Sequence, residues 1–207
     1  MHEVRKGEGK MLEINKSWAM PSGETFTILP IKDLIKRYVP KNGIVIDAFA
    51  NKATIREIMN CKYISNDLDV DMPTDYHLEA QDFLSIFQDN SVDLVLYDPP
   101  YSGRQVSELY KKLEKTITMQ DTNSGYYTKF KDQIKRVLKP NGIVISFGWQ
   151  SNGIGGNNGF EQIEILLVSH GGNHNDTIVT VERKLYHQDS FDFEQLVIAS
   201  QDGAEGK

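Results

Sequence analysis

The spacing of apolar residues along the chain sorts it into alternating helices and strands. Ile31, Leu34, Ile35 and Tyr38 recur at the interval of one helical face and predict a helix over 30–39, ended by the turn formers of "PKNG". "IVIDAFA" (44–50) is a near-continuous apolar run, the pattern of a strand buried on both faces. A short helical piece around "TIREIM" leads to a second strand at "YISNDLD" (63–69), and "AQDFLSIF" reads as the start of another helix. "VDLVLYD" (92–98) is again a strand with no polar face. The longest helix, "YYTKFKDQIKRVLK", sets Phe130, Ile134, Val137 and Leu138 on one side, and "PNGIVISFGW" follows as turn plus strand. "FEQIEILLVSHGG" and "DTIVTVERKL" are joined by the turn formers "GGNHN" and predict an antiparallel hairpin at the end of the sheet. The whole pattern is that of an α/β fold: a doubly wound, mostly parallel sheet with a terminal antiparallel hairpin.

In such a sheet, ligands bind beyond the carboxyl ends of the strands. The residues expected there are Asp47, Asp67 or Asp69, Asp98, and the aromatics Phe147 and Trp149. Three carboxylates and two rings on one edge have the composition of a site.

Composition narrows the alternatives. With 207 residues, 39% hydrophobic and 25% charged, the chain is long enough for one α/β domain with a real core. No apolar run approaches the roughly 20 residues that cross a bilayer, and the first residues carry no apolar leader, so a cytoplasmic location with no membrane partner is expected. The single cysteine, Cys61, excludes a disulfide framework and a cysteine-rich metal site. His170, His174 and Asp176 have a spacing that would suit zinc only on a helix, and "GGN" is a turn, so no metal is expected. The net charge of −6 does not favour nucleic acid, but basic residues cluster at 110–115 and 129–139, so a local basic face is compatible with it.

The stretch "SVDLVLYDPPYSGRQ" carries the most specific chemistry. Proline lacks an N–H and fixes φ, so Pro99 and Pro100 end the strand abruptly and hold Asp98 and Tyr101 out at its edge. An exocyclic aromatic amine is a poor nucleophile because its lone pair is delocalised into the ring. A carboxylate (Asp98) and a fixed carbonyl (Pro99) that accept its two N–H bonds favour a pyramidal nitrogen and aim the lone pair at an electrophile. Tyr101 offers a face for a base taken out of its stack, a contact worth roughly 1–3 kcal/mol. Cys61 precedes a different strand, so the thiolate route of carbon methylation is excluded.

This "DPPY", together with "WAMPSGETFTILPI", "IDAFAN", "SNDLD", "EAQDFL", "LYDPPYSGRQ", "SFGWQSNGIG" and "SHGGNHNDTIVTVERK", resembles the S-adenosylmethionine-dependent DNA adenine (N6) methyltransferases, specifically a small phage- and prophage-associated group. The resemblance implies a class I, Rossmann-like methyltransferase fold, S-adenosylmethionine as cofactor, and a flipped-out adenine of DNA as substrate. It further implies that Asp47 contacts the methionyl amine, Asp67 (or Asp69) the ribose hydroxyls, and Asp82 and Phe83 the cofactor adenine. By the same resemblance, Trp18 and Thr25 are expected in a segment that covers the cofactor, and His174 and Asn175 in the loop that touches the flipped base. Phe147 and Trp149, at the end of a strand near the pocket, are expected to line the base slot. Most such enzymes carry glycines after the first acid, whereas this chain has Phe49, Ala50 and Asn51. Asn51 is left to supply a left-handed conformation and Ala50 a close approach. Cytosine 4-amino, RNA adenine, protein glutamine, or a catalytically weakened binding module are the alternatives.

The expected organisation is an N-terminal tail (1–16), a methyltransferase domain (17–187) and a C-terminal tail (188–207). Only residues 102–128 and the "NGIGGNNGF" loop leave room for target recognition, so short or relaxed sequence specificity, or a partner subunit, is expected.

Overall fold

A computed structural model describes residues 11–115, 124–172 and 174–185 of the chain. The elements are β1 (Glu13–Trp18), α1 (Leu29–Tyr38), β2 (Ile44–Asp47), β3 (Lys62–Ser65), α2 (Ala80–Ser85), β4 (Val92–Tyr97), α3 (Gly103–Lys112), α4 (Ser124–Val137), β5 (Leu138–Gly148), β6 (Phe160–Ser169) and β7 (Thr177–Lys184). All seven strands form one sheet in the order β1-β6-β7-β5-β4-β2-β3. Every neighbouring pair is parallel except β5–β7 and β6–β7, so β7 alone runs against the rest.

Period-two alternation explains how the sheet carries a core on each face. Val45, Leu94, Leu96, Ile145 and Val181 pack with Ile31, Leu34 and Ile35 of α1 on one side. Ile46, Val95 and Val144 meet Phe83 and Leu84 of α2 and Phe130, Ile134 and Val137 of α4 on the other. The α1 helix buries one apolar face, with Pro30 at its start and Lys36 and Arg37 in its last turn, where the helix dipole favours cations. Its fully buried Ile31, Leu34 and Ile35 each contribute about 1.5–3 kcal/mol by leaving water.

Several sequence expectations are corrected. The β6–β7 hairpin is last in the chain but is not the end of the sheet, because β1 adds to it in parallel. That strand starts at Glu13, so residues 13–16 belong to the sheet rather than to a tail. The polar "EINKSW" hides it, since an edge strand with one solvated face needs few apolar residues. Buried Glu164 secures this corner: it accepts Asn15 Nδ2 (3.2 Å) and the Tyr38 hydroxyl (2.8 Å) and pairs with Arg37. The strands expected over 44–50 and 63–69 stop at Asp47 and Ser65; beyond them only Asn66 pairs further, in an isolated parallel bridge to Tyr76. The "PNG" turn lies inside β5, where the register against β4 slips between Val92 and Leu94. No helix among the described residues is long and apolar enough to cross a membrane.

Candidate active site

The carboxyl ends of β2, β3 and β4 converge on a cavity of about 490 Å³. β4 delivers Asp98, and the two prolines then turn the chain into α3, whose N-cap Ser102 accepts the Gln105 N–H (3.3 Å). Asp98, Pro99, Pro100 and Tyr101 all line the cavity. The Tyr127 hydroxyl donates to the Pro100 carbonyl (2.7 Å), whereas among the described residues no hydrogen bond reaches the carbonyl of Pro99. The Tyr101 N–H donates to Gln105 Oε1 (2.6 Å), which fixes the entry to the helix.

Asp98 is the electrostatic centre of this wall. Burial pushes its carboxyl up to about 6, against the opposing effect of hydrogen bonds from the Tyr101 and Thr25 side chains. Tyr101 does not present its hydroxyl to solvent: it donates to Asp98 Oδ1. Burial, the adjacent carboxylate charge and this bond raise its own ionisation far above the ordinary phenol value. Its ring meets Trp149 edge to face, with centroids 5.5 Å apart. Thus the acceptor expected for a substrate amine is occupied by the phenol expected to stack on the base.

The opposite wall is built on the glycine-poor turn. Asn51 takes φ 46° and Ala53 φ 50°, so the left-handed turns that glycine usually supplies are made without it, at about 1–2 kcal/mol for the alanine. Asp67 holds the turn by accepting the Asn51 N–H (2.9 Å) on one oxygen and the Asp69 N–H (2.9 Å) on the other. Asn66 staples the ends of β2 and β3 to the segment leading into α2, through the Ala48 carbonyl and both backbone groups of Leu78. Phe49, Asn51, Asp67 and Asp69 all line the cavity. Asp69 pairs with Lys112 (3.0 Å), and the Asp71 N–H and this ammonium hold its carboxyl below the usual range.

Other expected cofactor residues lie elsewhere. Asp47 is fully buried beneath the cavity, accepting the Tyr63 hydroxyl (2.8 Å) and the Phe49 N–H (3.2 Å). Burial, reinforced by the charges of Asp98 and Asp67, pushes it up to about 7. It shapes the floor and is not among the lining residues. Ala50 is buried, with its N–H bonded to the Asn66 carbonyl. Asp82 sits exposed in the first turn of α2, and Phe83 is a core residue packed on Tyr76 and Phe87, because the apolar face of α2 meets the sheet rather than the cavity. Trp18 is exposed at the end of β1 and lines neither this cavity nor the one described next.

A second cavity of about 360 Å³ adjoins the first and shares Ser22, Thr25, Tyr101 and Gln105 with it. Trp149, His174 and Asn175 line it. Phe147 does not: it packs on Phe26 with ring centroids 4.9 Å apart. Among the described residues, none that lines this cavity is Asp, Glu, Lys or Arg, so a ligand there meets mostly rings, hydroxyls and amides. Thr25, expected among cofactor contacts, bridges the two cavities beside Asp98.

Sequence reasoning missed α3, which supplies Gln105, Leu109, Tyr110 and Lys112 to the first cavity. Tyr110 donates to Glu79 at the start of α2 (2.9 Å), so the helix is tied across the mouth by this bond and by the Lys112–Asp69 pair. The signal was present: Val106, Leu109, Tyr110 and Leu113 have the spacing of one helical face.

No family model and no curated protein matches the sequence. Among solved structures, TrmN from Thermus thermophilus is similar with a TM-score of 0.52 at 18% identity, covering 76% of this chain and 49% of TrmN; this chain therefore spans about half the length of that protein. The 1,6-didemethyltoxoflavin-N1-methyltransferase of Burkholderia thailandensis, solved with 1,6-didemethyltoxoflavin and S-adenosylhomocysteine, gives 0.53 at 11% identity over 76% of this chain and 77% of that one. A SAM-dependent methyltransferase from Archaeoglobus fulgidus gives 0.55 at 9% identity over 75% and 92%. The shared feature is the fold, the class I Rossmann-like architecture.

Proposed function

We propose that the chain is an S-adenosylmethionine-dependent amino-methyltransferase acting on the 6-amino group of adenine in DNA, with short or relaxed sequence specificity. The observation that carries this reading is the position of Asp98: a buried carboxylate on a rigid double-proline step that lines the first cavity, beside Thr25 and Tyr101, which line both cavities. Structural neighbours with the same architecture bind S-adenosylhomocysteine or are described as SAM-dependent.

The first cavity suits the cofactor. Its size lies within the range of small-molecule sites, and Asp67 and Asp69 at its rim match a cationic ligand carrying a ribose diol. The left-handed turns at Asn51 and Ala53 bring the backbone close without glycine, which favours a working site over a weakened binding module. Bound there, S-adenosylmethionine supplies an electrophilic methyl group. The second cavity receives the target base, with Trp149, His174 and Asn175 around it. Ionised above about pH 6, Asp98 accepts one N–H of the amine, and the Pro99 carbonyl accepts the other. The Tyr101 hydroxyl must leave Asp98 for this to happen. Alignment supplies most of the acceleration.

The test is transfer of labelled methyl to unmethylated DNA, followed by nucleoside analysis. Asp98→Ala is expected to lower the rate by at least about 10²-fold. Transfer that survives the substitution, or label recovered in cytosine, overturns the assignment.

A further inference from the structure

The segment between β1 and α1 places Thr25 beside Asp98, and something must hold that segment in place. Its anchor is Ala19. The Ala19 N–H donates to the Ser169 carbonyl (3.1 Å), and the Ala19 carbonyl faces His170 Nδ1 (2.9 Å). A carbonyl only accepts, so Nδ1 carries a proton in either charge state of the ring. The other ring nitrogen, Nε2, meets the Thr177 hydroxyl (2.8 Å). The ring is 6% exposed, and the His170 N–H is itself held by Asp176 (3.2 Å). Beyond Ala19 the chain is braced locally: Ser22 Oγ meets Thr27 Oγ1 (3.0 Å) and accepts the Glu24 N–H (3.1 Å). Thr25 then lines the first cavity together with Asp98 and Tyr101, where its side chain favours the ionised carboxyl.

We propose that His170 is a positioning residue: by pinning Ala19 it holds Thr25 against Asp98, and so couples the β6–β7 loop to the amine acceptor. His170 lines the second cavity beside Thr177, but its effect on Asp98 is indirect. It acts through two relays, one along the chain from Ala19 to Thr25 and one across from the loop that carries His174 and Asn175. The catalytic meaning of this coupling rests on the amino-methyltransferase reading, whereas the coupling itself does not.

The titration of Asp98 reads the coupling without any turnover. The groups that face this carboxyl are Tyr101 and Thr25 by hydrogen bond and Asp47 by charge. In protein labelled at the aspartate carboxyl carbon, the Asp98 resonance is expected to titrate with a midpoint of about 6. Thr25→Val removes a donor to the ionised form and moves the midpoint up by about one pH unit. His170→Gln, whose amide reaches the place of Nε2 and not of Nδ1, releases Ala19 and moves it in the same direction. His170→Asn, whose amide nitrogen takes the place of Nδ1, keeps the Ala19 bond and the original midpoint. The double variant His170→Gln/Thr25→Val shifts no further than Thr25→Val alone. A His170→Gln midpoint equal to that of the unsubstituted protein, or a His170→Asn midpoint equal to that of His170→Gln, overturns the proposal. If His170→Gln fails to fold, Thr177→Val, which unlocks the ring from its other side, takes its place. An unmoved midpoint there is equally fatal. Failure of the functional reading is a separate result: DNA left unmethylated by the unsubstituted protein while the titrations behave as stated.

Discussion

Replacing Tyr101 by phenylalanine isolates what its hydroxyl does to Asp98. The ring and its edge-to-face contact with Trp149 remain, and only the donor to Asp98 Oδ1 is lost. A hydrogen bond to a charged group contributes about 1.5–3 kcal/mol, and one pH unit corresponds to about 1.4 kcal/mol. The lost donor stabilised the ionised carboxyl, so its removal raises the midpoint from about 6 to a value about one to two pH units higher. With Asp98 required as an anion, the acid limb of kcat/KM moves up by the same amount. Near pH 7 the variant is then slower by roughly twofold to tenfold, a direct consequence of that displaced midpoint. Above pH 9 both proteins hold an ionised Asp98. The variant also lacks the phenol that competes with the substrate amine, so it should match or exceed the parent there. The assay is methyl transfer to unmethylated DNA at subsaturating concentration between pH 5 and 9.5. An acid limb that overlays the parent's, or a deficit of equal size at every pH, refutes the reasoning.

Asp47→Asn should stabilise the protein at pH 8 and not at pH 4. The folded-state value of Asp47 is raised from 3.8 to about 7, so its contribution is intact below pH 4 and lost as pH rises through 7, an effect of about 4 kcal/mol. Melting temperatures of both proteins across that interval check it, and a gain independent of pH would show that Asp47 is not the group responsible. Gly153→Ala should destabilise by more than about 1 kcal/mol, because a left-handed φ is combined with a steric clash. Gly153 has φ +53°, and an added Cβ would collide with the Glu182 carboxylate. That carboxylate is the acceptor for the Ile154 and Gly155 N–H groups, so it has little room to yield. Urea unfolding measures the loss, and an unchanged midpoint would mean the loop relaxes freely.

What the sequence disclosed depended on how much local pattern each element carries. The α1 helix and the β2 and β4 strands were legible because burial on one helical face, or on both strand faces, leaves an unmistakable period. β1 was not, since its partner is β6 and its outer face is solvated. The corner at Asp98 was legible because two prolines directly after a buried strand dictate where the next side chains go. Phe147 was misplaced although parity would have placed it: it lies two residues after Ile145 on the same strand face, which packs toward α1. Trp149 escapes that face because β5 ends at Gly148. Phe83 and Asp82 show the opposite limit, for a six-residue helix gives too little period to tell which face meets a cavity. Tyr101 turning inward to Asp98 is a choice between rotamers, and no sequence pattern encodes it.

The pairing of β1 with β6 also orders events during biosynthesis. Glu13 lies opposite Glu164, and Ala19 is bonded to Ser169, so the first strand waits for nearly the whole domain to be made. At about 5–20 residues per second, that wait is roughly 10–30 s on the ribosome. Contacts so distant along the chain slow folding as well. The N-terminal segment that brings Thr25 beside Asp98 is thus among the last parts to settle, and a nascent chain lacks a finished Asp98 corner until the hairpin has emerged.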